Sequence, residues 1–394
     1  MVLMSKLRQK FSEHLFSIPG WKTTRKIILF ESDDWGSIRM PSKDVYEECK
    51  KHGYRVDNNI FSRYDSLASE EDLKLFFDLL LSFRDSVGNH PVITANCLVA
   101  NPDFEKISEY GFNKYFYEPI TETFTKYPKH NQCFKIWEEG LRLNIFKPQS
   151  HGREHLNVSR FMHDLKSGDK DALFAFSHKM PGIFKKNEVQ MGNKYILSLE
   201  HYDSSDRDEK FLIIKKGLEL FRELLHYSSE SFIASNYIWD PLLENVLSEM
   251  GVLYIQGSKT QNIPKGTYKG FRSKYHFLGE RNGLGQIYLT RNVYFEPTLS
   301  FSSDCLSSAL RQIDTAFKWH RPAIISMHRI NFVGFIDPGN RDRTLMLLKE
   351  LFKRIIHHWP DVEFLSSDDL GKLITHKRDL TSTERTNHSS VNDL

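Results

Sequence analysis

The chain has 394 residues, 40% hydrophobic and 13% aromatic, ample for a buried core in one large domain or two smaller ones. Its 54 basic and 51 acidic side chains leave a net charge of +3, which argues against nucleic acid as the main partner, since such proteins carry a basic excess on one face. No apolar run reaches the ~18 residues of a membrane span, and the scattered cysteines (Cys49, Cys97, Cys133 and Cys305) fit a reducing compartment rather than a disulfide framework or a thiolate metal site.

Residues 1–20 mix Lys6, Arg8, Lys10, Glu13 and His14 with apolar side chains. They read as an amphipathic helix and lack the continuous apolar stretch of a signal peptide, so the expected location is cytoplasmic. The run from Lys26 to Phe30 is apolar and β-favouring, the mark of a strand buried on both faces. It breaks into Glu31, Ser32, Asp33, Asp34, Trp35 and Gly36. Side chains alternate along a strand. Two adjacent acids can therefore share a pocket only where the strand has ended and the chain turns, which Gly36 would permit.

Ser69 to Asp72 fits a loose capping box opening a helix with apolar Leu73, Leu75, Phe76, Leu79 and Leu80. Pro91 to Asn96 reads as a second strand, with Asn96 and Asn101 near its carboxyl end. Residues 102–130 are aromatic-rich and read as a packed insertion. A helix over Phe134 to Leu143 and a strand over Asn144 to Lys147 lead into Ser150-His151-Gly152-Arg153-Glu154-His155. Residues 164–206 are polar and broken by glycine and proline, an excursion from the scaffold.

A helix over Asp208 to Leu225 precedes a strand over Phe232 to Ala234, which ends in Ser235-Asn236-Tyr237. Asp240 and Pro241 open a further helix that Gly251 stops. Val252 to Ile255 reads as a strand, 257–286 as a Gly/Lys-rich loop, and Gln286 to Tyr294 as one more strand. A helix follows over Ser303 to Lys318, then a strand over Ala323 to Met327 with His328 at its end. A helix over Arg341 to His357, a strand over Val362 to Leu365 and a short helix over Asp368 to Leu373 complete the body. From residue 375 the composition turns polar, as in a flexible tail.

Strand, loop and helix thus alternate, which predicts parallel strands with helices outside, as a barrel or a doubly wound sheet. The body reads as one domain over 21–374. Neither G-x-x-x-x-G-K-[ST] nor G-x-G-x-x-G occurs, which lowers a nucleotide-binding reading.

Three strand ends carry groups suited to one chemistry: Asp33 and Asp34, then His151 and His155, then His328. Two imidazoles and a carboxylate make an open metal site with room for water and substrate. Alone, an H-x-x-x-H spacing among 17 histidines is weak, and its place after a strand strengthens it. His163, His178, His201 and His320 are assigned to structure or surface. Trp35 serves equally as a pocket wall or as a seal of the barrel mouth. Arg329, Asn331, Asn340 and Arg341 lie near His328 in the chain, where they could line the site or cap helices.

The stretch Phe30-Glu31-Ser32-Asp33-Asp34-Trp35-Gly36 resembles the first motif of the polysaccharide deacetylases (NodB homology, carbohydrate esterase family 4), with Trp35 inserted before the glycine. His151 to His155 resembles their H-x-x-x-H motif, and Ser326-Met327-His328 their final L-x-H motif without its leucine. The likeness spans about residues 26–370. It implies a distorted (β/α)7 barrel, an α/β fold, usually holding zinc. It further implies Asp33 as general base, His328 as general acid, and Asp34, His151 and His155 as ligands of a divalent metal. The family's R-x-P-Y motif falls on Ala234 to Tyr237, where only Tyr237 matches. The absent arginine orients the base, and Arg291 and Arg329 are candidates to replace it. Trp35, Tyr237, Arg291 and Arg329 are the expected substrate-binding residues, and Asp304 the nearest candidate for the family's fourth, Asp/Trp-bearing motif. The implied activity is removal of an N-acetyl or O-acetyl group from a carbohydrate. A non-catalytic carbohydrate-binding or assembly protein on the same fold, or a glycosidase-related barrel, is the alternative. The oligomeric state is left open.

Overall fold

In a computed structural model of the chain, residues 19–183, 194–299 and 305–376 are described. The expected amphipathic helix up to residue 18, Asp304, and the tail beyond residue 376 lie outside them. The strands, in chain order, are β1 (Lys26–Trp35), β2 (Ile93–Cys97), β3 (Ala100–Pro102), β4 (Tyr117–Pro119), β5 (Phe146–Ser150), β6 (Ser231–Ile233) and β7 (Tyr254–Gly257). They continue as β8 (Thr260–Pro264), β9 (Phe271–Tyr275), β10 (Ile287–Thr290), β11 (Val293–Tyr294), β12 (Ala323–His328) and β13 (Val362–Phe364).

Nine of these form the central sheet in the order β10-β7-β6-β5-β2-β1-β12-β11, with β13 also beside β1. Every pairing in it is parallel. Long helices run between the strands, among them Glu70–Leu81, Ser204–Leu225, Cys305–Lys318 and Pro338–His358. Ser69 and Asp72 close the capping box that their spacing predicts. The stretch 257–286, expected to be loop, folds in part into the antiparallel hairpin β8–β9.

The two ends of the sheet path are close in space. β10 and β11 are separated in the chain by Arg291 and Asn292 alone, and three Cα steps span at most ~11 Å. Arg291 N donates to Gly257 O at the end of β7 (2.8 Å), and Asn292 N donates to Ile324 O of β12 (3.1 Å). The single strand expected over Gln286–Tyr294 is therefore two, because the chain steps there from one sheet edge to the other. Inside the curl, Ile27, Leu29 and Ile324 share an apolar cluster with Tyr254, Ile287 and Leu289. No ladder joins β10 to β11 among the described residues, so the hydrogen-bonded sheet is open.

The alternation along β1 sorts its side chains. Ile27 and Leu29 face the inner cluster. Ile28 and Phe30 pack outward with Leu348, Leu351 and Phe352 of the helix Pro338–His358. The same parity sends Glu31 and Asp33 inward, to the C-terminal mouth of the curl, where parallel sheets place their functional groups.

Candidate active site

Asp34 breaks the alternation without ending the strand. Its φ is +74°, the left-handed region, and the β1–β2 register shifts between Ser32 and Trp35. This bulge inserts one residue, so Asp33 and Asp34 line the same cavity and Trp35 returns to the outer face. Both acids are buried. The expectation that the strand must end before two adjacent acids can cooperate is corrected: a bulge re-aims the second acid while pairing continues. Gly36 follows at φ +87°, where a Cβ would stand 2.3 Å from Leu98 O, so only glycine fits.

Asp34, His151 and His155 place their ligand atoms within 4.8 Å of one another. Asp34 Oδ1 lies 3.5 Å from His151 Nε2 and 3.8 Å from His155 Nε2. Donors of a tetrahedral ion with bonds of ~2.1 Å stand about 3.4 Å apart, so the gaps suit a shared cation. His151 Nδ1 donates to Ile233 O (2.9 Å), which leaves Nε2 as the lone-pair nitrogen. Burial, reinforced by the Arg39 guanidinium, pushes His155 down to about 3 and keeps it a neutral donor. The buried His155 Nδ1 has no hydrogen-bond partner among the described residues. Burial would favour a protonated Asp34, but Arg39 and the two imidazoles hold it well below the usual carboxylate range. The residues fit a divalent cation.

Asp33 is held from another side. Arg291 Nη2 donates to Oδ1 (2.6 Å) and Nη1 to Oδ2 (2.7 Å), while Nε reaches Glu31 Oε2 (2.6 Å). Asn96 Nδ2 adds a bond to Asp33 Oδ1 (2.7 Å). Burial opposes the charge on Asp33, and Arg291 overcomes it, holding the acid well below the usual range. His328 Nε2 stands 3.9 Å from Asp33 Oδ2. Its Nδ1 donates to Glu296 Oε1 (2.5 Å), whose other oxygen accepts from Asn331 Nδ2 (2.7 Å). Burial disfavours the imidazolium, yet Glu296 with Asp33 and Asp34 raises His328 to about 10.

These groups open on a cavity of about 470 Å³ that Asp33, Asp34, His151, His155, Tyr237 and His328 line. Of the four expected substrate contacts, Tyr237 alone is on its wall. Trp35 is 1% exposed, stacked against Phe76 and Phe332 and edge-on to Phe146, with Nε1 on Ser32 Oγ. A ring this deeply enclosed by Phe76, Phe332 and Phe146 offers no open face to a sugar. Arg291 and Arg329 are wholly buried. Arg291 orients Asp33. Arg329 instead pairs with both oxygens of Asp65 (3.0 Å each) and caps Ser37 O, so it holds the loop after β1.

Glu31, Arg39 and Glu296 are additions that the sequence reading did not supply. An acid midway along an apolar strand, such as Glu31, is itself a signal, because a buried carboxylate needs a cationic partner. Glu296 carries no comparable mark.

No family model matches the chain, and no curated protein matches it in sequence. Solved structures do. A 4-alpha-glucanotransferase from Thermococcus litoralis is 10% identical over 88% of this chain, with a TM-score of 0.42, and the match spans 40% of that protein. PuuE allantoinase is 10% identical over 89% of this chain and 91% of its own, at a TM-score of 0.46. The peptidoglycan deacetylase PdaC from Bacillus subtilis is 8% identical over 92% and 96%, at 0.36. Other matches include further deacetylases and a CE4 family pseudoenzyme. Among the described residues, no helix is long and apolar enough to cross a membrane.

Proposed function

We propose that this chain is a metal-dependent hydrolase that removes an N-acyl or O-acyl group from a carbohydrate, on a curled sheet we read as a distorted (β/α)7 barrel. One observation carries the reading. Two acids of one bulge, set by different partners, sit between an imidazole pair and a third, charged imidazole.

Asp34, His151 and His155 would hold the divalent cation, and the one-oxygen, two-nitrogen donor set favours zinc. When bound, the cation supplies Lewis acidity to a carbonyl and to a water beside it. Asp33, oriented by Arg291 and Asn96, accepts a proton from the attacking water. Tyr237 OH accepts from Arg291 Nη1 (3.2 Å), which leaves its own proton for an oxyanion developing in the cavity. His328, kept protonated by Glu296, gives its proton to the departing amine or alcohol. Two neighbouring acids thus take two roles, split by whether the partner is Arg291 or the imidazoles.

Elemental analysis of wild type beside His151→Ala, with acetate release from N-acetylated sugars, tests the proposal. The expected result is one bound metal and turnover in wild type, and loss of both in the variant. Equal metal content in the two proteins removes the metal centre. Bound metal without any acyl release favours a carbohydrate-binding protein.

A further inference from the structure

Part of the cavity wall is aliphatic, beside the polar groups that a carbohydrate would use. Ile38, Met40, Leu156, Met180 and Ile183 all line it and all are less than a tenth exposed. Ile38 and Leu156 are anchored in one apolar cluster with Phe161 and Tyr195. Met40, Met180 and Ile183 are anchored in another, with Tyr54 and Val56. The wall is therefore preformed. Polar groups share the wall with them, among them Ser37, Arg39, Asn59, Ser62, Asn236 and Tyr237. Ser37 Oγ donates to Ile38 O (3.3 Å) and Asn59 Oδ1 accepts from Ser62 N (2.8 Å), while Tyr237 OH accepts from Arg291 and keeps its own proton for the reacting centre.

The segments that carry the metal ligands supply much of this wall. Leu156 follows His155 directly, and Ile38 and Met40 follow Asp34 within the same loop. The proton donor His328 comes instead from β12. The acyl carbon must lie beside the ligands and the leaving amine beside His328, which turns the acyl substituent toward the aliphatic wall. An acetyl methyl would cover little of a cavity of about 470 Å³, which lies in the size range of sites that enclose whole small ligands.

Resting on the hydrolase reading above, we propose that the preferred substrate is an amino sugar whose nitrogen carries a medium-chain aliphatic acyl group such as hexanoyl. Water oxygen bonds to the acyl carbon, the C–N bond breaks, and the amine leaves with the proton of His328. The products are the fatty acid and the free amino sugar. Each methylene taken from water into the wall is worth roughly a fourfold gain.

The test uses the full metal-loaded chain with N-acetyl-, N-butanoyl- and N-hexanoyl-glucosamine, reading kcat/KM for each. The expected result is a rise of at least about tenfold from acetyl to hexanoyl. Met180→Phe, which fills the recess, is expected to lower the hexanoyl-to-acetyl ratio. Calorimetry of hexanoate and acetate binding gives a readout that needs no turnover, and hexanoate is expected to bind more tightly. Turnover of acetyl at least as fast as hexanoyl overturns the acyl-chain proposal and leaves the hydrolase reading standing. No turnover of any substrate removes the hydrolase reading, and equal binding of the two acids then removes the apolar subsite as well.

Discussion

Arg291 and Asp33, 258 positions apart in the chain, meet through two parallel hydrogen bonds of 2.6 and 2.7 Å. The same guanidinium also donates to Glu31, whose carboxyl burial pushes above the usual carboxylate range, so one buried cation serves two buried acids. Replacing it strands the Asp33 carboxylate and leaves Glu31 without its buried partner. Arg291→Met is expected to destabilise the fold by about 3–5 kcal/mol, the usual cost of an uncompensated buried charge, measured by urea unfolding. Asp33 lies below its unfolded value, so its share of the stability is full above pH ~4 and declines as acid titrates the folded group. The variant should therefore lose less stability than wild type on acidification, and an equal acid response would contradict the pairing.

His328 depends on Glu296 for its charge. In Glu296→Gln the imidazole is expected to fall from about 10 toward its ordinary ~6.5. A proton donor works only below its own value, so the alkaline limb of kcat/KM should move to lower pH. A cation on Asp34 lowers the starting point in both proteins, but the shift between them survives. Identical pH–rate profiles would show that Glu296 does not hold the proton.

Metal and fold should be linked. A cation at 100 times its dissociation constant stabilises the native state by about 2.7 kcal/mol. Chelation is expected to lower Tm, and added zinc to restore it. His151→Ala, lacking one donor, should show neither response.

Trp35 separates packing from recognition. Its ring is stacked on Phe76 and Phe332. Trp35→Ala is expected to cost about 3–5 kcal/mol, with KM unaltered for the protein that still folds. A raised KM at unchanged stability would return the ring to the substrate.

Gly217 tests how the imidazole loop is supported. In the helix Ser204–Leu225, a Cβ at this position would lie 2.7 Å from Arg153 N, between His151 and His155, the proposed ligands. Alanine is the better helix former by ~1 kcal/mol. Gly217→Ala is nonetheless expected to weaken metal binding by displacing the loop, as read by zinc titration against a chelating dye.

Much of the scaffold was legible from local signals. The apolar run of β1, the capping box at Ser69 and the strand-helix alternation all depend on neighbouring residues, and the structure contains each. The site was legible in part, because Asp34, His151 and His155 stand next to strand ends that topology brings to one mouth. Trp35 was not, since a tryptophan after two acids reads alike as wall or seal until its neighbours are known. Nor was the break at Arg291, because the residues of β10 and β11 alternate as one strand would.

The sequence by itself determined the parallel α/β plan and the residue types of a candidate metal site, because periodicity and residue chemistry are local properties. Tertiary structure alone decided which acid meets which partner. The bulge at Asp34 turns two consecutive acids into one cavity, and the curl of the sheet carries Arg291 to Asp33 across 258 positions. Burial then sets their charges, because removing water makes each pairing strong enough to fix a proton.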